Sequence, residues 1–399
     1  MKIIGFTFIM LGVIILGVMI PVQTLSQTPI IPGEATRVQL VTYLRSICDW
    51  SIRSELRTGE LKIAEKRRSS VFINSNLARV LIAGYEITNE NSYLDEALAW
   101  FDRLVDLQQP TMTTNDLQAG YWGDFGPDGN IYLGDAGTSA TALAGAVRFA
   151  NPERRLKYLR ALELYANFVR FGTKEDPQGR GRGGSNGWVI NSGPDAGALG
   201  CGYYRNELSP APYTISTSVT GVAFFSCLAD LTGNSDYMTI AEDAARWLLK
   251  IRDPFGEFPY VLHNFQLDEW PLDTMSYVAD GIIGVHLRSA NATFKREVEK
   301  SITRSIQWLV MRQNRDGSWG KLRSEDQQRS QGVLNLLVWF YNDVMPNTAV
   351  LNAIRANYSY FLNPANSKAF GVLELPITTG FVGLGIAEVL VPDITYRLK

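Results

Sequence analysis

Two kinds of helical pattern occur along this chain, and the first has a charged face. Its apolar residues recur at i, i+3, i+4 and i+7, as in Ala97, Trp100, Phe101 and Leu104, with charged residues opposite them. This pattern predicts helices that lie on a core with one side in water. It covers Val38 to Arg57, Tyr93 to Leu107, Arg154 to Phe171, Tyr237 to Ile251, Phe294 to Arg312 and Ala349 to Leu362.

The second kind is short, rich in small and apolar residues, and almost free of charge. A helix that is apolar on nearly every side must be buried on nearly every side. We therefore predict inner helices at Asn76 to Ile87, Thr138 to Phe149, Ser218 to Leu231, Asp280 to Ser289, Gln331 to Tyr341 and Thr379 to Leu390.

The two kinds alternate six times, outer then inner, and successive inner segments begin about 50 to 80 residues apart. Such a repeat indicates hairpins that bury their apolar faces only against their neighbours. We predict an all-α fold, an (α/α)6 toroid of six helical hairpins. The length of 399 residues would allow two or three domains, but no linker interrupts the alternation, so residues 27–399 are predicted to form a single domain. Short hairpins are expected in loops at Gly187 to Ile190 and Phe258 to Leu262.

Small polar or acidic residues stand where the inner helices are predicted to begin, among them Asp135, Asp280 and Thr378. Such residues are favoured helix caps. In a double ring all inner helices run the same way, so their N-termini and the loops before them meet on one face. The N–H groups and positive dipole ends there make this face the expected ligand site.

Residues 1–26 are set apart from the fold. Lys2 is followed by an apolar run from Ile3 to Ile20, then by a polar stretch without a basic stop-transfer cluster. This is the pattern of a signal peptide or an uncleaved signal anchor. We expect a secreted or lumenal protein, or one that is anchored to a membrane through residues 3–20.

Composition narrows the chemistry. The chain is 46% hydrophobic and 20% charged with a net charge of −2, which is typical of a globular protein and unlike a nucleic-acid binder. It has two histidines, and its three cysteines show no C-x-x-C spacing, so we predict no metal and no cofactor.

The segment from Gln313 to Gly320, Q-N-R-D-G-S-W-G, combines a helix end, a glycine turn and a tryptophan that packs back. Together with the alternation it resembles the α/α-toroid enzymes: six-hairpin glycosidases, several polysaccharide lyases and epimerases, and terpenoid cyclases with Gln-Trp repeats. The resemblance spans nearly the whole chain after residue 26. It implies the toroid fold, and function hardly at all.

The catalytic motifs of several of these enzyme classes are absent from this sequence. The sequence contains neither the D-x-D-D nor the D-D-x-x-D motif of terpenoid cyclases, and it cannot supply the Asp, Cys and His zinc site of prenyltransferases. Gly200-Cys201-Gly202 is followed by Tyr203-Tyr204, so the thioester motif Gly-Cys-Gly-Glu-Gln is also missing. Carbohydrate chemistry remains, and we expect a glycan as substrate or ligand.

Two carboxyl groups must flank the bond that a glycosidase cleaves, and one of them needs a raised pKa. The candidates are Asp135, Asp195, Asp273 and Asp280, with helix capping or Asx turns as the structural alternatives. Aromatic and polar loop residues are candidates for sugar binding. They are Trp122, Asp124, Trp188, Arg205, Tyr260, Trp270, Tyr277, Trp319 and Arg329.

A second chemistry uses tyrosine or histidine to move the proton α to a uronate carboxyl, with arginine neutralising that carboxylate. Tyr203 and Tyr204 stand beside Arg205, and His263 lies in a later loop, so these residues are further catalytic candidates.

We therefore expect a carbohydrate-active enzyme of the secretory or extracytoplasmic space that acts on glycosidic bonds by carboxylate acid/base catalysis. The alternatives are a uronate lyase or epimerase and a non-catalytic toroid that binds a glycan or a protein. Cyclisation of an isoprenoid remains a third hypothesis, and it rests only on the Gln-Trp-like turn.

Overall fold

The computed structural model describes residues 28–54, 63–64, 67–68, 71–126, 129–204, 206–260, 271–369 and 376–398. Within these ranges, helices alternate between an outer and an inner ring. The outer helices are α1 (Glu34–Ser54), α3 (Asn91–Asp106), α5 (Pro152–Phe171), α7 (Ser235–Ile251), α9 (Ala292–Arg312) and α11 (Thr348–Leu362). The inner helices are α2 (Val71–Thr88), α4 (Leu133–Ala146), α6 (Thr214–Thr232), α8 (Pro271–Arg288), α10 (Leu334–Trp339, continued by a π-helical turn, Phe340–Val344) and α12 (Pro376–Leu390). The predicted (α/α)6 toroid is confirmed.

The inner ring is closed. Each inner helix packs against the next, and α12 packs back against α2. Small residues allow this closeness: a Cβ added at Gly137 of α4 would lie 2.0 Å from Oγ1 of Thr220 on α6. Among the described helices, α6 is long and apolar enough to cross a membrane, but 89% of its apolar window is buried inside the protein. This is how a core helix of the inner ring behaves.

The predicted starts of the inner helices were wrong by three to nine residues. Helix α8 begins at Pro271 rather than Asp280, and α4 begins at Leu133 rather than Thr138. Helix α10 differs in the other direction, since it begins at Leu334, after Gln331. The polar residues interpreted as caps lie inside the helices: Asp135 is in the first turn of α4, and Asp280 is in the middle of α8. The inner helices thus carry polar side chains into the ring.

Short antiparallel strands connect the helices. They are β1 (Ile63–Ala64), β2 (Arg67–Arg68), β3 (Gln109–Met112), β4 (Gln118–Tyr121), β5 (Ile131–Tyr132), β6 (Gly200–Tyr204) and β7 (Glu207–Pro212), paired β1-β2, β3-β4 and β5-β6-β7. The hairpin predicted at Gly187 to Ile190 is reduced to a single bridge between Val189 and Leu199. Residues 258–260, the described part of the other predicted hairpin, form no strand.

The sheet β5-β6-β7 leads directly into α4 and contains a bulge at Gly202. The register shifts between Gly200 and Gly202, and Gly202 has a φ of +119°. The bulge lets Cys201 pack toward Tyr132 and Tyr277 while Tyr203 packs into the main core. Strand β6 therefore contributes one side chain to the small cluster inside the ring and another to the main core.

The C-terminal segment closes the end of the ring opposite the inner-helix N-termini. Ile394, Tyr396 and Leu398 are buried. Arg288 Nη2, at the end of α8, donates to the carbonyl oxygen of Tyr396 at 2.6 Å. We call residues 391–398 the C-terminal plug.

Candidate functional site

Two carboxyl groups lie together at the mouth of the inner ring. Asp135 is half-buried in the first turn of α4, and no described side chain donates a hydrogen bond to it. Burial, followed by the nearby Asp124 carboxyl, raises the pKa of Asp135 well above its ordinary value. Asp135 therefore has the environment of a carboxyl group that holds its proton.

Asp124 belongs to the loop that precedes β5 and is 7% exposed. Its Oδ2 accepts a hydrogen bond of 3.0 Å from Asn130 Nδ2, whereas its buried Oδ1 has no hydrogen-bond partner in the described part of the chain. Burial raises the pKa of Asp124 as well. The backbone N–H of Val71, the first residue of α2, donates to the Asp124 carbonyl at 2.8 Å. This contact fixes the Asp124 loop against the mouth end of α2.

Tyrosine rings form one wall of the mouth. Tyr132 meets Tyr213 edge to face with ring centroids 5.6 Å apart, and Tyr213 meets Tyr260 at the same distance. Tyr204 also meets Tyr132 edge to face, with ring centroids 5.9 Å apart. Burial raises the pKa of Tyr132, Tyr213 and Tyr260, so their hydroxyl groups stay neutral near pH 7. We call Tyr132, Tyr204, Tyr213 and Tyr260 the tyrosine wall.

Helix α8 carries three candidates at i, i+4 and i+7, which places them on one face, at increasing depth. Asp273 is in the first turn, and its Oδ2 lies 3.4 Å from Arg329 Nη1. One turn further in, Tyr277 meets Phe381 of α12 edge to face, with centroids 5.0 Å apart. Burial, then the charges of Asp273 and Asp135, raises the pKa of Tyr277. Because the charges of Asp273 and Asp135 both act on Tyr277, the upper part of this face lies near Asp135.

Asp280 lies roughly 10 Å below Asp273 along α8, at 1.5 Å per residue. Its Oδ2 accepts a hydrogen bond from Arg79 Nη1 at 2.6 Å, and its Oδ1 accepts one from the Tyr396 hydroxyl at 3.1 Å. Asn335 Nδ2 in turn donates to the Tyr396 oxygen at 2.9 Å. Both carboxylate oxygens of Asp280 thus accept hydrogen bonds from protein groups. This indicates a structural role for Asp280 rather than proton transfer at the mouth.

Asp195 lies on the outer side of the ring. Its Oδ1 accepts a hydrogen bond of 3.1 Å from Trp247 Nε1 on α7, and Lys250 of the same helix donates to the Pro194 carbonyl. The structure therefore does not bring Asp195 together with Asp135 and Asp273. Its contacts attach a glycine-rich loop to an outer helix.

Tyr203 is fully buried behind the tyrosine wall. Its hydroxyl hydrogen-bonds Thr173 Oγ1 and the Gly183 carbonyl, each at 2.9 Å. The Arg182 guanidinium lies 4.7 Å from the centre of its ring. Arg182 also forms a bidentate ion pair of 2.8 Å with Asp176, which holds the pKa of Asp176 far below its usual range. These contacts order the loop around Asp176 and leave Tyr203 no access to the mouth.

Three tryptophans proposed for sugar stacking are core residues. Trp122 Nε1 donates to the Leu104 carbonyl at 2.8 Å, and Trp319 Nε1 donates to the Leu309 carbonyl at 2.9 Å. Trp188 is 2% exposed and packs between Phe168 and Tyr203. Their faces are not available to a ligand in this structure. His263, Arg205 and Trp270 lie outside the described residues.

Sequence reasoning missed Arg79, Cys201 and Tyr396 as parts of the interior. Cys201 belongs to the same small buried cluster as Tyr132 and Tyr277. Burial, together with the Asp135 charge, raises the pKa of its thiol to about 12. Cys48, Cys201 and Cys227 are all buried and unbridged. Within the described residues, no three His, Cys, Asp or Glu side chains are grouped closely enough to hold a metal ion.

No protein-family profile matches the chain, and no curated protein sequence matches it. It is similar to several solved structures. The GH76A α-1,6-mannanase from Salegentibacter sp. HEL1_6 is 13% identical with a TM-score of 0.57, covering 88% of this chain and 98% of the mannanase. A polysaccharide lyase is 11% identical with a TM-score of 0.63, covering 89% and 97%.

A possible member of the GH105 family from Klebsiella pneumoniae is 13% identical with a TM-score of 0.58, covering 89% of this chain and 93% of the other. At these identities the likeness concerns the fold. The chain therefore shares the six-hairpin α/α-toroid fold of these glycoside hydrolase and lyase structures.

Proposed function

We propose that this protein is a carbohydrate-active enzyme that cleaves glycosidic bonds, with Asp135 as the proton donor. The observation that carries the proposal is the Asp135 carboxyl at the mouth of the inner ring, beside a second carboxyl, with a raised pKa. A carboxyl that remains protonated near neutral pH can donate its proton to the oxygen of a leaving sugar.

The second carboxylate is proposed to be Asp273. It lies in the first turn of another inner helix, and its Oδ2 forms an ion pair of 3.4 Å with Arg329 Nη1. A charged carboxylate can activate water or stabilise positive charge on the sugar ring. Asp124 then serves Asp135, because a neighbouring negative charge favours the protonated form of that acid.

The tyrosine wall supplies the surface on which a sugar ring can lie. Tyr204 and Tyr260 are 39% and 37% exposed, so their rings are reachable from solvent, unlike the buried tryptophans. Aromatic rings with a polar tip suit a ligand with one apolar face and several hydroxyl groups.

The comparison with the mannanase does not fix the substrate. An inactive variant of that enzyme carries replacements at two adjacent aspartates. The present sequence contains no Asp-Asp pair at all. The proposed acids come instead from a loop and from two different inner helices, so we draw no sugar identity from that neighbour.

A second candidate function is that of a uronate lyase or epimerase, favoured by the position of Arg329 and the tyrosine wall at one mouth. Arg329 would neutralise a uronate carboxylate, and a tyrosine hydroxyl would move the proton. The raised pKa of Tyr132, Tyr213 and Tyr260 weighs against this candidate, because a tyrosine base must be ionised.

The proposed location is secreted or lumenal, with membrane anchorage if the N-terminal segment is retained. The apolar run from Ile3 to Ile20 supports it. Sequencing the N-terminus of the protein purified from its native host tests whether cleavage occurs near Ser26.

The activity is tested by incubating the purified protein with a panel of neutral and uronate-containing oligosaccharides. Mass spectrometry distinguishes hydrolysis, which adds one water to each cleaved bond, from elimination, which leaves an unsaturated sugar. We expect Asp135→Asn to lower turnover by about 10²–10⁴-fold. The matched control is Asp195→Asn, which should retain turnover because Asp195 lies on the outer side of the ring.

Equal turnover by wild-type protein and folded Asp135→Asn would contradict the assignment of the acid. Saturable glycan binding without any product would instead support a binding protein on the same fold.

A further inference from the structure

Helix α6 lies between the two inner helices that carry the proposed carboxyl groups. It packs against α4, which carries Asp135, and against α8, which carries Asp273. The central part of α6, Thr217–Phe224, is π-helical. Helical turns of this kind are rare in proteins and are frequent at functional sites. The way this segment holds its two neighbours therefore affects the distance between the two carboxyl groups.

Two hydroxyl groups of the π-helical segment bind the backbones of both neighbouring helices. Thr220 Oγ1 donates to the Leu133 carbonyl of α4 at 2.5 Å, and Ser218 Oγ donates to the Tyr277 carbonyl of α8 at 2.7 Å. Residues two positions apart lie on roughly opposite sides of a helix, so one segment reaches in both directions. Both side chains are fully buried. The two hydroxyl groups thus join α4 to α8 through α6.

A glycine makes room for each of these hydrogen bonds. A helical carbonyl points toward the residue four positions later, and in both cases that residue is a glycine, Gly137 in α4 and Gly281 in α8. A Cβ at Gly137 would lie 2.0 Å from Thr220 Oγ1, and one at Gly281 would lie 2.6 Å from the Ser218 carbonyl oxygen. The same arrangement of hydroxyl, carbonyl and glycine therefore occurs on both sides of α6.

Each of the two bonded carbonyl groups lies close in sequence to a proposed carboxyl group. Leu133 is two residues before Asp135, and Tyr277 is one helical turn after Asp273. After burial, the charges of Asp273 and Asp135 both raise the pKa of Tyr277, so the two carboxyl groups act on the same part of the ring. A displacement of α4 or α8 relative to α6 would therefore change the separation of the carboxyl groups.

We propose that Thr220 and Ser218 are positioning residues that set the separation between the Asp135 and Asp273 carboxyl groups. This inference rests on the proposed function, in which these two groups act on one glycosidic bond. The separation of such a pair decides whether a water molecule fits beside the sugar or whether the carboxylate attacks the sugar directly. A displacement of about 1 Å is enough to lower turnover severely. The two hydroxyl groups act through the carboxyl groups and need no contact with the substrate.

The first test is structural and needs no substrate. Thr220→Val and Ser218→Ala each remove one hydroxyl group with little change of shape. The matched control is Ser51→Ala in α1, because the buried Ser51 hydroxyl donates to a carbonyl of its own helix at 2.8 Å. Crystal structures should show the distance between the two carboxyl groups changed by about 0.5 Å or more in the first two variants and unchanged in the control. An unchanged distance in both hydroxyl variants overturns the proposal. If Thr220→Val does not fold, Thr220→Ala replaces it.

The second test is kinetic and uses the oligosaccharide that the wild-type protein cleaves best. Thr220→Val and Ser218→Ala should lower kcat by about 10–100-fold with little change in KM, because the reacting groups move while the sugar still binds. Thr220→Ser keeps the hydroxyl group and should restore most of the lost kcat. Ser51→Ala should keep the wild-type kcat even where its Tm falls as far as that of Ser218→Ala. Unchanged kcat in both hydroxyl variants, an equal loss in Ser51→Ala, or no recovery in Thr220→Ser overturns the proposal.

Failure of the proposed function is recognised separately, as the absence of product from the whole oligosaccharide panel with wild-type protein. The crystal structures then decide the positioning role alone. A changed separation of the carboxyl groups in both hydroxyl variants upholds that role, and an unchanged separation overturns it.

Discussion

Arg79 and Asp280 form an ion pair of 2.6 Å across the interior of the inner ring. Their side chains are 6% and 3% exposed, and they join α2 to α8, which are separated by other inner helices on both sides. Arg79 Nη2 also donates to the Thr395 carbonyl at 3.2 Å. The pair thus connects opposite sides of the ring to each other and to the C-terminal plug.

Breaking this pair should destabilise the fold strongly. Asp280→Asn leaves a buried guanidinium without its counter-charge, and we expect it to lower the free energy of unfolding by about 3–5 kcal/mol. Urea titration measures this. The control is Asp116→Asn, which removes an exposed ion pair with Lys174 and should cost about 1 kcal/mol or less. If Asp280→Asn lowers the free energy of unfolding no more than the control does, the structural role of the Arg79–Asp280 pair is contradicted.

Glu388 makes the attachment of the C-terminal plug sensitive to pH. Its buried carboxyl accepts a hydrogen bond of 2.8 Å from the Thr395 N–H, and burial raises its pKa to about 7. The pKa of Glu388 is therefore higher in the folded than in the unfolded protein. Its protonated carboxyl contributes fully to the stability of the fold below about pH 4, and this contribution is lost as the pH rises through 7.

We therefore expect wild-type protein to lose more stability than Glu388→Gln between pH 5 and pH 8, as measured by urea unfolding at both values. Asp343, whose pKa burial raises to about 6, is present in both proteins, so the difference between them isolates Glu388. Parallel pH dependence of the two proteins would be evidence against this assignment.

Asp124 should set the upper pH limit of turnover. The Asp124 charge helps to raise the pKa of Asp135, and a general acid works only while it is protonated. Asp124→Asn removes that charge, so the pH above which kcat/KM declines should move to lower values. A pH–rate profile of both proteins on the same oligosaccharide checks this. The idea fails if the alkaline limb stays in place.

The bulge at Gly202 should tolerate no side chain. A Cβ there would lie 2.1 Å from the Ile131 carbonyl oxygen, and the φ of +119° strains any other residue. We expect Gly202→Ala to lower the free energy of unfolding by about 1–3 kcal/mol. It should also reduce turnover, because the clash displaces Ile131 of β5, and Tyr132 and Asp135 follow Ile131 in the chain. Gly145→Ala in α4 is the control. It has open space around the new Cβ, so it should be neutral or stabilising by up to about 1 kcal/mol. Equal stability of the two variants would show that the bulge can relax.

The sequence was sufficient to predict the double ring because burial determines where charged residues occur. The outer helices have a charged face at helical spacing, and the inner helices have almost no charged residues. It also placed Asp135 near the mouth. Asp280 was misplaced because aspartate is a common cap, while the better signal was Pro271, a residue type favoured in the first turn of a helix. Pro376 gives the same signal for α12.

Contacts between distant segments could not be predicted, because they produce no pattern in the local sequence. Arg79 and Asp280 are separated by 201 positions, and no local pattern couples them. The tryptophans failed as sugar-binding candidates for a different reason, since large aromatic residues stabilise cores as readily as they bind ligands. Only the packing around Trp122 and Trp319 decides between the two.

The C-terminal plug gives the ring a closed floor. A sugar chain that reaches Asp135 has to come in through the mouth and leave by the same way, because Tyr396 and the Arg79–Asp280 pair occupy the path below. Among the described residues, the interior of the ring is therefore closed at the end where the C-terminal plug lies. A glycan polymer that is cleaved as proposed would then have to offer a chain end or lie across the rim, rather than thread through the ring.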